Sequence, residues 1–340
     1  MRPAHRGKAG WTGWSRLAGR YDRPSLSPVA AHNIADLPRL LAGTPWASLA
    51  GTAQPVSLQG YQYDDLFRLG DDAGGRFALK LRPLDQPNIA DSLRCLAARF
   101  DPAGLIQDYL DAFQVDGCWL LVSQWVTGQQ PITSRRDSLP LFFSRLAAFN
   151  RDNPATGHFT SMYADGHYFA SLADLVEHEL AGHLKALAAS WPELGPDWAA
   201  PGVGSRELRA ALAALTDGLA CLVNEDCNTG NMFLKADGQP LFIDTEWLHT
   251  GLNLHQFDHL NLSGFDEPRW YNIGAEAVAC ATAYFDELRL PRALANEQLR
   301  AWECLAVLRR HSSWHWRGQK EQYQLTAQRL RQLLDRPSFI

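Results

Sequence analysis

Residues 222–231 read LVNEDCNTGN, and residues 243–247 read IDTEW. Between these segments lie an apolar Met-Phe-Leu run at 232–234, an Asp-Gly pair at 237–238 and a second apolar run that ends at Ile243. Two short apolar runs joined by Asp-Gly are typical of a β-hairpin. The sequence therefore predicts a polar loop, then a hairpin, then a second polar segment directly after it.

The carboxylate and amide groups of these polar segments suit phosphoryl transfer. That reaction uses a carboxylate beside the attacking hydroxyl, and oxygen ligands that hold magnesium against the phosphates of a nucleotide. Asp226 supplies the first group, and Asn231 and Asp244 supply the second. In the alternative interpretation, Asp226 and Asn231 only shape a turn and Asp244 only caps a strand. The complete pattern favours a phosphotransferase site with ATP and Mg²⁺ as cofactors.

Lys80 is a candidate for binding the nucleotide phosphates. It lies in the apolar segment 77–82, after a glycine-rich turn at 70–75, and kinases carry such a lysine on the third strand of their small lobe. Lysine is rare in this chain, where it occurs only as Lys8, Lys80, Lys185, Lys235 and Lys320. The alternative is an exposed strand position whose aliphatic stem covers apolar surface.

The region from 55 to 122 predicts strands with one helix. The predicted strands lie near 56–58, 66–69, 77–81 and 119–122, and the helix lies at 88–99. The first three strands are expected to be antiparallel. Gly60 belongs to a predicted loop at 59–65, which could fold over the phosphates with its backbone N–H groups or form an ordinary turn.

After Gly128 the pattern is helical almost throughout, with the hairpin as the interruption. Apolar stripes at helical spacing occupy 172–184 and 208–219. The first stripe follows a capping-box pattern from Ser171 to Asp174. These stripes predict helices that each bury one face in a large core.

The composition is that of a globular protein. The chain has 340 residues with 46% hydrophobic and 20% charged residues, and a net charge of -5 argues against nucleic acid as a partner. Six scattered cysteines without C-x-x-C pairs suit a reducing cytoplasm, and no apolar stretch approaches the ~20 residues of a membrane span. Residues 1–32 predict a flexible basic tail, whose partner is left open, as is the oligomeric state.

Several positions in and after the hairpin resemble a known family. They are Asp226-Cys227, Gly230-Asn231, Ile243-Asp244, Glu246-Trp247 and Phe257-Asp258. These residues resemble the choline and ethanolamine kinases and, more broadly, the aminoglycoside phosphotransferases. The resemblance implies Asp226 as the catalytic base, with Asn231 and Asp244 as magnesium ligands. It also implies that Lys80 binds phosphate and that Phe257-Asp258 braces the catalytic loop.

The resemblance implies an α+β, two-lobed, protein-kinase-like fold. A small antiparallel β-sheet lobe with one helix would occupy 33–122, and a large, mainly α-helical lobe containing the catalytic β-hairpin would occupy 129–340. The hinge at 123–128 would join the two lobes. Ser123, Gln124 and Trp125 of the hinge would then meet the adenine ring.

Two departures from the family pattern bear on this interpretation. Asn224 and Glu225 stand where the family usually has His and a small or polar residue. The helix at 88–99 contains no Glu that could pair with Lys80, so the nearest acids are Asp91, Asp108 and Asp111. These departures keep open a non-catalytic, kinase-like nucleotide-binding protein. A protein kinase is disfavoured, because no Ala-Pro-Glu peptide-docking signature follows Asp244.

The acceptor is expected to be a small cationic alcohol, such as an amine or a quaternary ammonium compound. Glu246 and Trp247 are the candidate contacts, because acids and aromatic rings cluster after Asp244 and a cation gains ~0.5–2 kcal/mol over a tryptophan face. The other members of the cluster are Asp258, Asp266, Glu267, Trp270, Tyr271, Trp302, Trp314 and Trp316. Tryptophans at helical spacing are also typical of a core, which is the alternative for these rings.

Overall fold

The computed structural model describes residues 33–58, 61–70, 77–84, 86–126, 130–155, 157–162, 164, 166–190, 199–200, 203–260, 262, 273–312, 320–336 and 338–340. Its contacts divide the chain into two compact units. One comprises Met1–Leu84 and Ala112–Val122, and the other comprises Asp85–Asp111 and Ser123–Ile340. The basic segment 1–32 lies outside the described residues.

The first unit is built on a five-stranded sheet with strand order β1-β2-β3-β5-β4. The strands are β1 (Gln54–Leu58), β2 (Tyr61–Leu69), β3 (Phe77–Pro83), β4 (Tyr109–Val115) and β5 (Cys118–Gln124). Alternate side chains of β2 and β3, such as Phe67, Leu69 and Leu79, are buried, as the two-residue period of a strand requires. They share a core with the short helix α1 (Leu37–Leu40).

The first three strands run antiparallel as predicted, but the sheet differs from the prediction in two places. Strand β2 begins at Tyr61, whose partner is Leu58, so most of the predicted loop at 59–65 is strand. The aromatic Tyr-Gln-Tyr segment suits a pleated strand. Strand β4 was not predicted, because as an edge strand it mixes polar and apolar side chains; Leu110 is exposed.

The second unit contains seven helices and seven short strands among its described residues. The helices are α2 (Pro87–Ala98), α3 (Leu139–Asp152), α4 (Leu172–Ser190), α5 (Ser205–Leu212), α6 (Ala277–Glu287), α7 (Arg292–Ser312) and α8 (Lys320–Asp335). The strands are β6 (Gln130–Pro131), β7 (Ala199–Ala200), β8 (Val203–Gly204), β9 (Ala220–Asn224), β10 (Met232–Leu234), β11 (Pro240–Phe242) and β12 (Leu248–Leu252).

Residues 85–111 pack with the second unit, whereas the predicted small lobe ran without interruption from 33 to 122. The Ser92 hydroxyl on α2 donates to the carbonyl of Thr245, and the Asn88 amide donates to that of Glu246 at 2.9 Å. In the same segment, the carbonyl of Leu105 accepts a hydrogen bond from the N–H of Phe242 at 2.7 Å. These hydrogen bonds connect the segment 85–111 to the last residue of β11 and to the residues that follow it.

The core of the second unit surrounds α3, α6 and α7. Helix α3 starts with a proline in its first turn and buries Phe142, Phe143 and Leu146 along one face, at helical spacing. Burial of each such side chain contributes about 2–3 kcal/mol. Residues 301–309 of α7 are buried on every side of the helix. Within the described part of the chain, no helix is long and apolar enough to cross a membrane.

The strands that carry the site form two small sheets. Strand β9 pairs antiparallel with β12, and the predicted hairpin is present as β10 and β11, with Met232 opposite Phe242. The almost entirely helical prediction missed the β9–β12 pair. A short apolar run such as Ala-Cys-Leu-Val cannot be distinguished from a helix segment by periodicity alone, so only its partner reveals it as a strand.

Candidate active site

The candidate catalytic loop, residues 225–231, leaves the end of β9 and enters the hairpin. The last residue of β9, Asn224, pairs with Leu248 of β12, which fixes the point where the loop begins. The loop closes with a short 3-10 turn, Thr229–Asn231. Asn228 caps this turn, because its side-chain oxygen accepts a hydrogen bond from the N–H of Gly230 at 2.8 Å. The loop is therefore held at both ends.

Both carboxylate oxygens of Asp226 accept hydrogen bonds from side-chain amides. Asn228 Nδ2 donates to Oδ1 at 2.6 Å, and Asn231 Nδ2 donates to Oδ2 at 2.8 Å. The same Asn231 amide lies 3.1 Å from the Asp226 carbonyl oxygen. The Asp226 side chain is 22% exposed, so it is fixed in orientation and still reachable from solvent. This arrangement brings together the two residues of the predicted D-x-x-x-x-N pair.

His259 is a neighbour of Asp226 that the sequence did not single out. Its Nε2 lies 3.7 Å from Asp226 Oδ1, and its side chain is mostly buried. The N–H of Ile273 donates to the His259 carbonyl at 2.9 Å, which anchors this backbone. Its one sequence signal is its position directly after Phe257-Asp258.

Asp244 follows the hairpin and is tied to the loop through the backbone. The N–H of Ile243 donates to the carbonyl of Asn231 at 2.9 Å, so Asp244 is one residue from a direct contact with the loop. Asp244 has a φ of 59°, in the left-handed region that aspartate tolerates better than most residues. The bend turns the chain from β11 towards β12.

The donor set of Asn231 and Asp244 fits a hard divalent cation. Magnesium prefers carboxylate and amide oxygens. Because the Asn231 nitrogen faces Asp226, its amide oxygen lies on the opposite edge of the side chain. Asp244 is partly exposed and carries a carboxylate. The chemistry of the two side chains agrees with the predicted magnesium role, which stays a prediction.

The predicted nucleotide contacts lie on β3, at the end of β5 and directly after it. Lys80 lies on β3 opposite Leu66 and is partly buried. Ser123 and Gln124 end β5, and the Gln124 carbonyl accepts a hydrogen bond from Gln107 Nε2 at 2.7 Å. Trp125 follows them, outside regular structure. Gly60 lies outside the described residues. Of the acids considered as partners of Lys80, Asp91 pairs with Arg94, and Asp108 pairs with Arg99 at 2.7 Å.

The two predicted acceptor contacts differ in exposure. Glu246 is buried, with 4% of its surface exposed, whereas Trp247 is partly exposed. Trp302, one of the rings of the predicted aromatic cluster, is completely buried on α7 and is therefore a core residue. Asp266, Glu267, Trp270, Tyr271, Trp314 and Trp316 lie outside the part of the chain that the structure describes.

Phe257 and Asp258 lie in the segment that follows β12. Phe257 is fully buried and contacts the rings of Phe143 and Tyr284, with centroid distances of 5.6 and 4.9 Å. Asp258 Oδ1 lies 3.7 Å from Nη1 of Arg309 on α7. The pair thus connects the segment after β12 to three core helices.

Glu225 belongs to a buried group of charged residues that the sequence did not reveal. Its Oε1 lies 3.0 Å from Nδ1 of His255, and the opposite ring nitrogen of His255 lies 3.4 Å from Oε1 of Glu179 on α4. The sequence marked Glu225 only as a departure from a family pattern. Asn224, the other departure, is fully buried, and its carbonyl accepts from the Cys227 thiol at 2.8 Å.

Comparison with known proteins shows the fold. No protein-family model matches the chain, and no curated protein sequence matches it. Among solved structures, a thermostable mutant of aminoglycoside phosphotransferase APH(4)-Ia, in ternary complex with AMP-PNP and hygromycin B, matches with a TM-score of 0.51 and 13% identity. The match covers 88% of this chain and 97% of that one. The predicted kinase-like α+β fold is therefore confirmed.

Two further solved structures match with lower scores. Choline kinase LicA from Streptococcus pneumoniae has a TM-score of 0.47 and 13% identity, over 83% of this chain and 92% of its own. An aminoglycoside phosphotransferase from Alicyclobacillus acidocaldarius has a TM-score of 0.48 and 15% identity, over 83% of this chain and 90% of its own.

Proposed function

We propose that this protein is an ATP-dependent phosphotransferase that moves the γ-phosphate to a hydroxyl of a small cationic molecule. The observation that carries the proposal is the Asp226 carboxylate, held by Asn228 and Asn231 on a loop that leads through a hairpin to Asp244. Phosphoryl transfer requires little covalent chemistry from the protein, so positioned groups of this kind supply most of the catalysis. The kinase-like fold supports the same reaction class.

In the proposed reaction, Asp226 orients the acceptor hydroxyl and accepts its proton. The acceptor oxygen forms a bond to the γ-phosphorus, the bond from that phosphorus to the β-bridging oxygen breaks, and ADP leaves. The two amides hold the carboxylate in one orientation before the acceptor arrives, which reduces the entropy cost of the transition state. Asp226 is then the general base.

The nucleotide and its metal ion would be held by the remaining predicted residues. Asn231 and Asp244 would ligate magnesium, which neutralises negative charge on the phosphates when it is bound. Lys80 would contact the phosphates as a second cationic group. Ser123, Gln124 and Trp125 would contact the base.

The acceptor class rests on charge and on the named activities of the structural neighbours. One neighbour is a choline kinase and another is bound to hygromycin B. In this chain the acidic residue Glu246 follows Asp244 by two positions, whereas the charge of Asp258 is offset by Arg309 at 3.7 Å. A cationic acceptor would be attracted to such a region. Glu246 and Trp247 are the proposed contacts.

A screen for acceptor-dependent ADP formation tests the proposed function. The screen includes choline, ethanolamine, aminoglycosides, amino sugars and nucleosides, with Asp226→Asn as the blank. The exposed Asp335→Asn is the matched control, because it removes one carboxylate far along the sequence from the loop. Turnover with a cationic alcohol, lost in Asp226→Asn and kept in Asp335→Asn, supports the proposal. Efficient turnover of neutral sugars alone contradicts the cationic acceptor.

A non-catalytic nucleotide-binding protein is the second candidate. The observation that favours it is Asn224, which is fully buried at the start of the loop, and whose side-chain oxygen and nitrogen have no hydrogen-bond partner among the residues that the structure describes. Calorimetry with Mg-ATP distinguishes the two candidates. Tight binding of Mg-ATP without ADP formation, over the whole acceptor panel, would establish the second one.

A further inference from the structure

Three charged side chains are completely buried behind the catalytic loop. His255 lies between two carboxylates, with Nδ1 at 3.0 Å from Glu225 and Nε2 at 3.4 Å from Glu179. All three side chains are at most 1% exposed. They come from different elements, since Glu179 lies on α4, Glu225 opens the loop and His255 follows β12. The contact thus joins three segments that are distant in sequence.

Each carboxylate has further support. The N–H of Met162 donates to Glu225, and the Ser161 hydroxyl donates to Glu179. Arg309 Nη2 lies 4.0 Å from Glu225 Oε1. The titratable and charged groups around His255 are Glu179 and His183 on α4, Glu225 in the loop, His249 on β12, Asp258 after β12 and Arg309 on α7.

Charge balance in this cluster requires a cation on His255. Buried carboxylates without compensation would be costly, and Arg309 is shared between Glu225 at 4.0 Å and Asp258 at 3.7 Å. Burial opposes protonation of His255, but Glu179 and Glu225 outweigh burial and raise the pKa of His255 to about 9. Burial lowers the pKa of His249, so that ring stays neutral. His255 is therefore the second cation.

A proton on His255 fits this cluster better than a metal ion. Glu225, His249 and His255 have ligand atoms within 4.8 Å of one another, a spacing that could hold a metal. However, both ring nitrogens of His255 lie within 3.4 Å of carboxylate oxygens, and this proximity favours the charged imidazolium. A divalent ion on Glu225 would also be repelled by the Arg309 guanidinium beside the same oxygen.

We propose that His255, as an imidazolium held between Glu179 and Glu225, is a positioning residue that fixes the catalytic loop. Glu225 is the peptide neighbour of Asp226, so a restraint on Glu225 limits where the Asp226 carboxylate can lie. Loss of the proton would leave two carboxylates facing a neutral ring and release the start of the loop. The effect of this restraint on catalysis rests on the proposed function. The restraint of the loop by His255 is independent of that function.

Nuclear magnetic resonance on the ¹⁵N-histidine-labelled full chain tests the charge state. The ring signals of His255 are assigned by their loss in His255→Gln. We expect imidazolium shifts from pH 6 to pH 8 and titration near pH 9. A neutral His255 ring at pH 7 would overturn the proposal, as would one zinc ion per purified chain by elemental analysis.

Hydrogen exchange tests the restraint without any assay of activity. His255→Gln and Glu225→Gln should each speed exchange of the amides in 225–231 by roughly 10-fold, because local opening becomes easier. The control His158→Gln changes an exposed histidine and should leave those rates unchanged. If a variant fails to fold, exchange of the amides in 225–231 is measured in the wild type at pH 7.5 and at pH 9.5. His255 is charged at the first pH and mostly neutral at the second, and the rates are corrected for intrinsic exchange. Unchanged loop protection in every case overturns the proposal.

Measurement of kcat then distinguishes a failure of the loop restraint from a failure of the proposed function. With an active acceptor and saturating Mg-ATP, His255→Gln should lower kcat by at least ~10-fold. Equal kcat with a loosened loop would overturn the positioning role. Absence of turnover in wild type would count against the proposed function, and the resonance and exchange results would still decide the restraint.

Discussion

Asp226 has its orientation fixed by two neighbouring amides, which is a property of side chains a few positions apart. Asn228 and Asn231 each donate to one carboxylate oxygen. A carboxylate that accepts such bonds keeps one rotamer, and its remaining lone pairs are presented in a fixed direction. Under the proposed function, the residue would act as a base without reorganisation when the acceptor binds.

The substitution Asp226→Asn should lower kcat by ~100-fold or more, because general-base catalysis typically contributes that much. The Kd for ATP should change little, since the nucleotide is assigned to other residues. Steady-state turnover and calorimetry measure the two quantities, with Asp335→Asn as the control. Turnover at the wild-type rate in Asp226→Asn would disprove the assigned role.

Loss of the Asp244 carboxylate should weaken magnesium-dependent nucleotide binding. Asp244→Ala should abolish the effect of magnesium on ATP affinity, because the proposed ionic ligand is gone. Alanine is strained at the positive φ of this position by about 1–2 kcal/mol, so Asp244→Asn, which tolerates it, is the companion variant. Calorimetry with and without magnesium gives the result. Equal Mg-ATP affinity in all three proteins would contradict the assignment.

At the scale of elements, a buried polar group connects α3, β9 and α6. Asn150 on α3 donates to the Leu222 carbonyl of β9 at 2.6 Å and accepts from the Tyr284 hydroxyl of α6 at 2.7 Å. The Gln256 amide, from the segment after β12, donates to the same Asn150 oxygen. All these groups are buried, so each depends on the others for its hydrogen bonds. The strand that leads to the candidate catalytic loop is thereby attached to two helices.

Asn150→Ala should lower the free energy of unfolding by about 2 kcal/mol, because it leaves a buried carbonyl and a buried hydroxyl without their partner. Tyr284→Phe removes the hydroxyl that donates to Asn150 and accepts from Asn253, and should cost about 1 kcal/mol. Gln332→Ala, an exposed position on α8, serves as the control. Urea unfolding at one pH measures all three. A change below ~0.5 kcal/mol for Asn150→Ala would show that the group adds little.

At the scale of the whole molecule, the His255 cluster makes stability depend on pH. The pKa of His255 is raised by Glu179 and Glu225 to about 9 in the folded chain, against 6.5 for an ordinary histidine. The native state thus binds one more proton than the unfolded state between these values. The stabilisation is fully present below pH 6.5 and is lost as pH rises to 9.

Urea unfolding of wild type and His255→Gln should reveal this loss. Between pH 6.5 and 9, wild type should lose about 1.4 kcal/mol per pH unit relative to the variant. Groups that titrate in both proteins, such as the cysteines, contribute equally to both free energies of unfolding and drop out of the difference. Parallel stability curves over this range would show that His255 binds no extra proton in the native state.

Local sequence was sufficient to predict the hairpin, the loop before it and the acid after it. Turn type depends on neighbouring residues such as Asp237-Gly238, and the contacts of Asp226 with Asn228 and Asn231 span a few positions. The three antiparallel strands of the first unit were predicted for the same reason. Edge strand β4 and the β9–β12 pair were missed, because a short strand is defined by its partner.

Only the tertiary structure could bring Glu179, Glu225, His255 and Arg309 together. No period or motif relates these positions, since each lies on a different element and the meeting point is the packed core. The same holds for residues 85–111, whose packing against the hairpin region depends on hydrogen bonds to distant carbonyls. A sequence pattern shows only how a residue relates to its neighbours along the chain. Which charged side chains are buried together depends on which elements pack against one another, and the pattern does not contain that information.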